Sequence, residues 1–230
     1  MRELGVGFVM RGIAKAICVA TGLAFACTTQ AMAEKLVYKV SDGSIGETAI
    51  TANADGYLIA SRVGEWDHEV TTDNSFSTLR WAYHKLKDGT DVVFTRSENT
   101  LTGDGIYKGK KFQKVYQIDA EPWYEEWGVG LKSFVMGTEN KSIFWSINPN
   151  DPNQIGKFEA TRLNKQTFVI NETAVEVVHV KVSLQGILSL FYSADYWFRA
   201  SDGTVVRMKN AGGASKFDVE TDLLEVNPGP

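Results

Sequence analysis

The sequence predicts a mainly β fold: a large curved antiparallel sheet or half-open barrel of about eleven strands, with one short helix across its concave face. Three observations carry this reading. From Lys35 onward apolar residues recur mostly at every second position, the period of a strand. Five Asp-Gly pairs punctuate them: Asp42-Gly43, Asp55-Gly56, Asp88-Gly89, Asp104-Gly105 and Asp202-Gly203. Tight hairpins need positive φ in the turn, which glycine supplies and aspartate tolerates. One stretch, residues 122–135, breaks the strand period and sets Trp123, Trp127, Leu131 and Val135 on a single helical face.

The chain opens with the three parts of a secretory leader. Arg2, Arg11 and Lys15 are its basic end, and residues 16–25 its apolar core, with Ile17, Val19, Leu23 and Phe25. Ala31-Met32-Ala33 supplies the small residues for cleavage, so residues 1–33 are expected to leave and Glu34 to become the first residue. The apolar run is shorter than the roughly 20 residues of a permanent membrane span. The expected compartment is the periplasm or the medium. The alternative is a lipid anchor on Cys27, which follows Ala24-Phe25-Ala26, although lipoprotein signals usually carry leucine where Ala24 stands.

Cys18 and Cys27 are the only cysteines and both lie in the leader. Cleavage leaves 197 residues without a disulfide, a thiolate or a cysteine metal ligand. A chain of that length buries roughly 70% of its unfolded surface in one core, so residues 34–230 are read as one β domain. Without the leader, 21 Lys and Arg stand against 27 Asp and Glu, a net charge of −6. Such a surface has no electrostatic footprint for nucleic acid.

The strands follow in order. Leu36, Tyr38 and Val40 alternate before the first turn, and Thr48, Ile50 and Ala52 return. Residues 57–63 come next, then a strand with Leu79, Trp81 and Tyr83 on one face and Arg80, Ala82 and His84 on the other. Residues 92–95 and 112–118 follow; 158–163, 167–170, 174–184, 188–200, 204–209 and 216–226 complete the set. Val178, Val180 and Val182 alternate with Val175 and Val177, so that strand is apolar on both faces. Between these halves, Pro122 suits a first helical position, while Gly128 and Gly130 each cost about 1 kcal/mol there. Residues 148–153 form a loop, and residues 227–230 end the chain without structure.

No motif carries a specific chemistry. There is no Gly-x-Ser-x-Gly elbow, phosphate-cradling glycine loop or His-Glu-x-x-His pair, and His68-Glu69 stands alone. His68, His84 and His179 sit on separate segments without the spacing of metal ligands, so no metal and no cofactor are expected. Asp119, Glu121, Glu125 and Glu126 lie beside Trp123, Tyr124 and Trp127. Carboxylates with stacking rings build sugar-cleaving grooves, but the same pattern is an amphipathic helix with a solvated acidic face and a buried aromatic stripe. The aromatic excess is the informative feature, since large rings line ligand cavities as readily as they fill cores. Trp123, Trp127, Trp145, Tyr192, Tyr196 and Trp197 are the candidate ligand-binding residues; no catalytic residue is assigned.

Tyr196-Trp197-Phe198-Arg199-Ala200-Ser201-Asp202-Gly203-Thr204-Val205-Val206-Arg207-Met208 is similar to a late hairpin of secreted bacterial β-proteins: an aromatic strand, an Asp-Gly turn and a basic-apolar strand. The segment from Tyr38 to Ile45, continuing through Gly46-Glu47, resembles their opening hairpin. These are all-β periplasmic proteins of unknown function and, more distantly, lipoprotein-localisation factors with a half-open barrel. The resemblance implies a curved sheet that holds an apolar ligand or a helix, and it transfers no catalytic residue. The expected function is non-enzymatic binding of an apolar or amphipathic ligand, a lipid or a lipoprotein-like chain. The alternative is an envelope polysaccharide hydrolase or lyase, working through Glu121, Glu125 or Glu126, or through Tyr83 or Tyr192 with His84 or His179. Oligomeric state is left open.

Overall fold

The computed structural model describes residues 33–170, 172–190, 192–212 and 219–228. The expected leader lies outside the described residues except for Ala33, and so do Cys18 and Cys27. No helix among the described residues is long and apolar enough to cross a membrane.

Fourteen strands form one antiparallel sheet: β1 (Ala33–Val40), β2 (Ile45–Asn53), β3 (Gly56–Val63), β4 (Trp66–Thr72), β5 (Thr78–Lys85), β6 (Thr90–Ser97), β7 (Thr100–Tyr107), β8 (Lys110–Gln117), β9 (Lys141–Ile147), β10 (Ile155–Ile170), β11 (Thr173–Leu184), β12 (Tyr192–Arg199), β13 (Val205–Gly212) and β14 (Val219–Pro228). Their order is β8-β7-β6-β5-β4-β3-β2-β1-β14-β13-β12-β11-β10-β9, two meanders joined where β1 pairs with β14. All odd-to-even turns therefore lie on one rim, here the upper, and all even-to-odd connections on the lower.

The count corrects the expectation of about eleven. The expected strands 158–163 and 167–170 are one, β10, interrupted by a bulge between Arg162 and Lys165. Three further strands, β4, β7 and β9, lie outside the expected set of strand ranges. Four Asp-Gly pairs do sit at turns, with Gly43, Gly89 and Gly203 at positive φ and Gly56 opening β3. Asp104-Gly105 instead lies inside β7, because glycine there serves close approach. A Cβ on Gly103 would fall 2.2 Å from the Phe94 ring, and one on Gly105 2.1 Å from the Asp91 carbonyl.

The inward face carries the core. One register row, Ile50–Ile59–Val70–Trp81–Phe94, crosses five strands and is buried throughout. On the other half Val178, Val180 and Val182 point inward beside Phe198, Tyr196 and Ala194, while Val175 and Val177 lie on the outer face. Trp81 and Tyr83 are buried as expected, with Arg80, Ala82 and His84 opposite, but Leu79 is exposed at the strand's start.

The sheet does not close into a barrel. Its edges are bridged: the Tyr107 and Tyr116 hydroxyls donate to the carbonyls of Asn150 and Pro152 in the β9–β10 loop. The outer edge, β8, carries exposed Lys110, Lys111 and Lys114, charges that discourage pairing with another strand. The other edge, β9, is covered by residues 122–124, since Trp145 N–H donates to Pro122 O and Tyr124 N–H to Trp145 O.

That covering segment opens the strap, residues 118–140, which crosses the concave face as expected of the helix. Its helical part is shorter than residues 122–135: α1 (Trp127–Gly130) and α2 (Lys132–Met136), broken at Leu131. Residues 122–124 pair with β9 instead of entering the helix, and this pairing delays the first turn. Trp123 and Leu131 are completely buried. Gly130 packs against the Tyr124 ring, where a Cβ would come within 2.7 Å, so the two glycines that weaken the helix let it fit the concavity.

Candidate functional site

Register places four polar or half-polar side chains on one inward rung: Thr48, Ser61, His68 and Tyr83, from β2 to β5. The strap lowers Glu126 onto this rung. Ser61 Oγ donates to Glu126 Oε2 at 3.2 Å, His68 Nε2 lies 3.1 Å from the same oxygen, and Thr48 Oγ1 is 2.9 Å from Ser61 Oγ. The Trp81 indole N–H reaches His68 Nδ1 at 3.3 Å. An indole nitrogen only donates, so Nδ1 accepts and the ring proton sits on Nε2, pointing at the carboxylate. Tyr38 lies close enough for Glu126 and Glu34 to add to the burial that raises its pKa well above 10.

Glu125 points the other way, toward β9. Its carboxyl accepts from Ile147 N–H at 2.7 Å and from the Trp123 indole, and the Ser146 hydroxyl joins them. Burial nonetheless outweighs these donors and pushes its pKa up to about 8, so the group is protonated at neutral pH. The expected solvated acidic face is thus corrected: both acids are half-buried and bonded, because each anchors the strap to a different half of the sheet.

Above the strap the rings gather. Trp127 packs against Phe144, Phe158, Tyr192 and Tyr196, with centroids 5.4, 4.8, 6.0 and 6.2 Å away. Its indole N–H is satisfied by Tyr124 O and Ser146 Oγ. Trp127, Phe158 and Tyr192 are only half-buried, and Tyr192 opens β12 at the upper rim. Burial raises the Tyr192 hydroxyl to about 12. These rings form an aromatic mouth, and three of the six candidate residues meet there.

The other three do not. Trp123 is enclosed in the core. Trp145 lies on the outer face, where its indole N–H donates to Asp119 at 2.8 Å and Lys157 lies 5.5 Å over its ring. The Lys157 and Trp145 donors lower Asp119 to about 2. Trp197 is also on the outer face, stacked on His179 at 4.6 Å, while His179 Nε2 meets Asp195 at 2.7 Å. Phe158, which sequence reasoning did not single out, sits at the centre of the mouth; its signal was an aromatic at the start of a strand.

The pairs considered for polysaccharide chemistry do not assemble. Tyr83 faces inward while His84 faces outward to Asp91, and Tyr192 and His179 lie on opposite faces of the sheet. Glu125 and Glu126 diverge from adjacent positions, and the Glu121 backbone N–H donates to Asp119 Oδ1. The pair that does form, His68 with Glu126, joins residues 58 apart and has no local sequence signal.

No family model matches the chain, and no curated protein matches it. Among solved structures, it is similar to a β-barrel-like protein of a domain of unknown function from Brucella abortus, with a TM-score of 0.55 at 10% identity over 86% of this chain and 98% of that one. A weaker likeness, with a TM-score of 0.33 at 12% identity over 86% of this chain and 87% of that one, is to the hypothetical lipoprotein YmcC from Escherichia coli. The first of these shows the fold alone: a large, curved all-β sheet shared with a bacterial protein of unknown function.

Proposed function

We propose that the chain is exported, loses its leader after Ala33, and works without catalysis as a single-domain module that takes up an apolar or amphipathic ligand, a lipid or a lipid-like chain, at the aromatic mouth. The observation that carries this reading is the convergence of Trp127, Tyr192 and Phe158, three half-buried rings packed on one another, with Tyr192 opening β12 at the upper rim. Rings left partly open to water at a concave surface gain about 25 cal/mol for each Å² that an apolar ligand covers. The strap below forms a floor, so a ligand inserts a chain end at the rim and does not thread through the sheet.

The test uses protein exported from cells carrying the full chain. Mass analysis should give Glu34 as the first residue without an acyl group, and solvent extraction should release a bound lipid. A fluorescent fatty acid should bind saturably, and Trp127→Ala with Tyr192→Ala should weaken its uptake at least tenfold. Protein that is repeatedly empty and takes up no probe would sink the reading.

A further inference from the structure

We propose that the upper rim docks on the surface of an anionic lipid bilayer, with Leu86 and Leu190 entering the interface and a set of lysines facing the headgroups. Leu86 and Leu190 are the two most exposed large apolar side chains among the described residues, at 86% and 81%. Each lies on a 3₁₀ turn, Leu86–Asp88 after β5 and Gly186–Leu190 after β11. Both connections run from an odd to an even strand, so the meander sets them on the same rim. Seven strands separate β5 from β11 in the sheet, which puts the two leucines far apart around that rim, with the aromatic mouth on the same side. Two apolar points at separate places on one rim fit a flat partner, which touches both at once. A small convex partner reaches only one.

Charge complements the choice. Around Leu86 lie Lys85, Lys87, Lys108, Lys110 and Lys111, against the carboxylates Glu65, Asp88, Asp91 and Asp151. The turn holding Lys108 packs beside this site, since Lys108 N–H donates to Thr90 Oγ1 just after the 3₁₀ turn. Asp88 and Asp151 accept hydrogen bonds from Thr90, Asn153 and Gln154, and Asp91 faces His84, while Lys110 and Lys111 make no ion pair among the described residues. Lys85 pairs with Asp88 and Lys87 with Glu65, so the local excess is one positive charge, in a chain of net charge −4. It is small, and apolar insertion and charge both contribute to the affinity. Each leucine buried contributes on the order of tenfold in binding, and each lysine about fivefold at low salt.

Exported protein is sedimented with vesicles of phosphatidylglycerol and phosphatidylethanolamine, and with vesicles of phosphatidylcholine alone. It should bind the anionic vesicles several-fold more tightly, and less so at high salt. Leu86→Asn with Leu190→Asn should lower binding at least tenfold, and Lys87→Glu with Lys108→Glu and Lys110→Glu about as much. Val169→Asn, a change at a comparably exposed residue near the lower rim, should alter nothing; circular dichroism and thermal unfolding should match the parent for every variant used. No sedimentation by the parent, equal binding to both vesicles, or rim variants that bind like the parent would each overturn docking. Fatty-acid uptake is measured without vesicles and should survive the rim changes. If uptake fails while sedimentation persists, the mouth loses its ligand and docking stands.

Discussion

His68 Nε2 lies 3.1 Å from Glu126 Oε2, and this contact ties the strap to β4 across the concave face. Both side chains are 23% exposed, so the pair is shielded but not sealed. Ser61 donates to the same oxygen, which makes Glu126 the acceptor for two strands at once. Opposite it, Glu125 and Trp145 tie the strap to β9. The concave surface is therefore closed by a segment held on both sides.

The first prediction concerns that tie. Glu126→Ala leaves the Ser61 hydroxyl and the His68 N–H without their acceptor, and should cost about 1–3 kcal/mol in urea unfolding. His68→Ala should cost a similar amount. The double variant should lose less than the two together, with a coupling of about 0.5 kcal/mol or more. Strict additivity would mean that the contact stabilises nothing.

Glu125 makes the second prediction, in pH. Its folded pKa of about 8 stands above its ordinary value of 4.5, so the folded state holds a proton that the unfolded chain has released. Stability from this group is fully present below about 4.5 and is lost progressively as pH rises toward about 8. Glu125→Gln stays neutral, keeps an acceptor for Ile147 N–H and removes this dependence. Relative to the parent, the variant should gain on the order of a few kcal/mol between pH 5 and 9. Parallel stability curves for parent and variant would contradict the buried, protonated carboxyl.

The third separates floor from mouth. Trp123 is completely buried, so Trp123→Ala should cost about 3–5 kcal/mol, the range for deleting a large core ring. Trp127 is half-buried, and Trp127→Ala should cost less while reducing fatty-acid uptake. Equal stability losses without any change in uptake would make Trp127 part of the floor.

The turns and the inward rows were legible because their signals are local. Asp42-Gly43 and Asp202-Gly203 bend where glycine and aspartate predict, and Val178, Val180 and Val182 alternate as a two-faced strand must. The strap was legible as a helix crossing the concavity, but its first residues were not, since pairing of Trp123 with Trp145 is a tertiary choice that overrides the helical period. Strand β4 was hidden because Asp67, His68 and Glu69 look like a solvated loop, and its partners supply what propensity does not. The His68–Glu126 tie and the mouth depend on register across distant strands. Register follows from the whole meander, and no single window of sequence contains it.

Strand β7 gives the last prediction. Its Thr-Gly-Asp-Gly sequence, residues 102–105, reads as a turn, yet it lies in the sheet between β6 and β8. The reason is Phe94, whose ring covers Gly103 so closely that an added Cβ would lie 2.2 Å from it. Phe94 in turn stacks on Trp81 and Tyr116, with centroids 5.7 and 6.3 Å away, so it cannot swing aside without loosening its neighbours. Gly103→Ala should therefore destabilise by about 1–3 kcal/mol, the cost of overpacking a filled core. Phe94→Leu alone should also destabilise, by leaving space over the glycine. Together the two changes should recover part of the loss, because the alanine methyl fills what the ring vacates. The measurement is the unfolding midpoint of the parent, the two single variants and the double variant. A double variant no better than the sum of its parts would show that glycine is kept at 103 for its backbone and not for the ring above it.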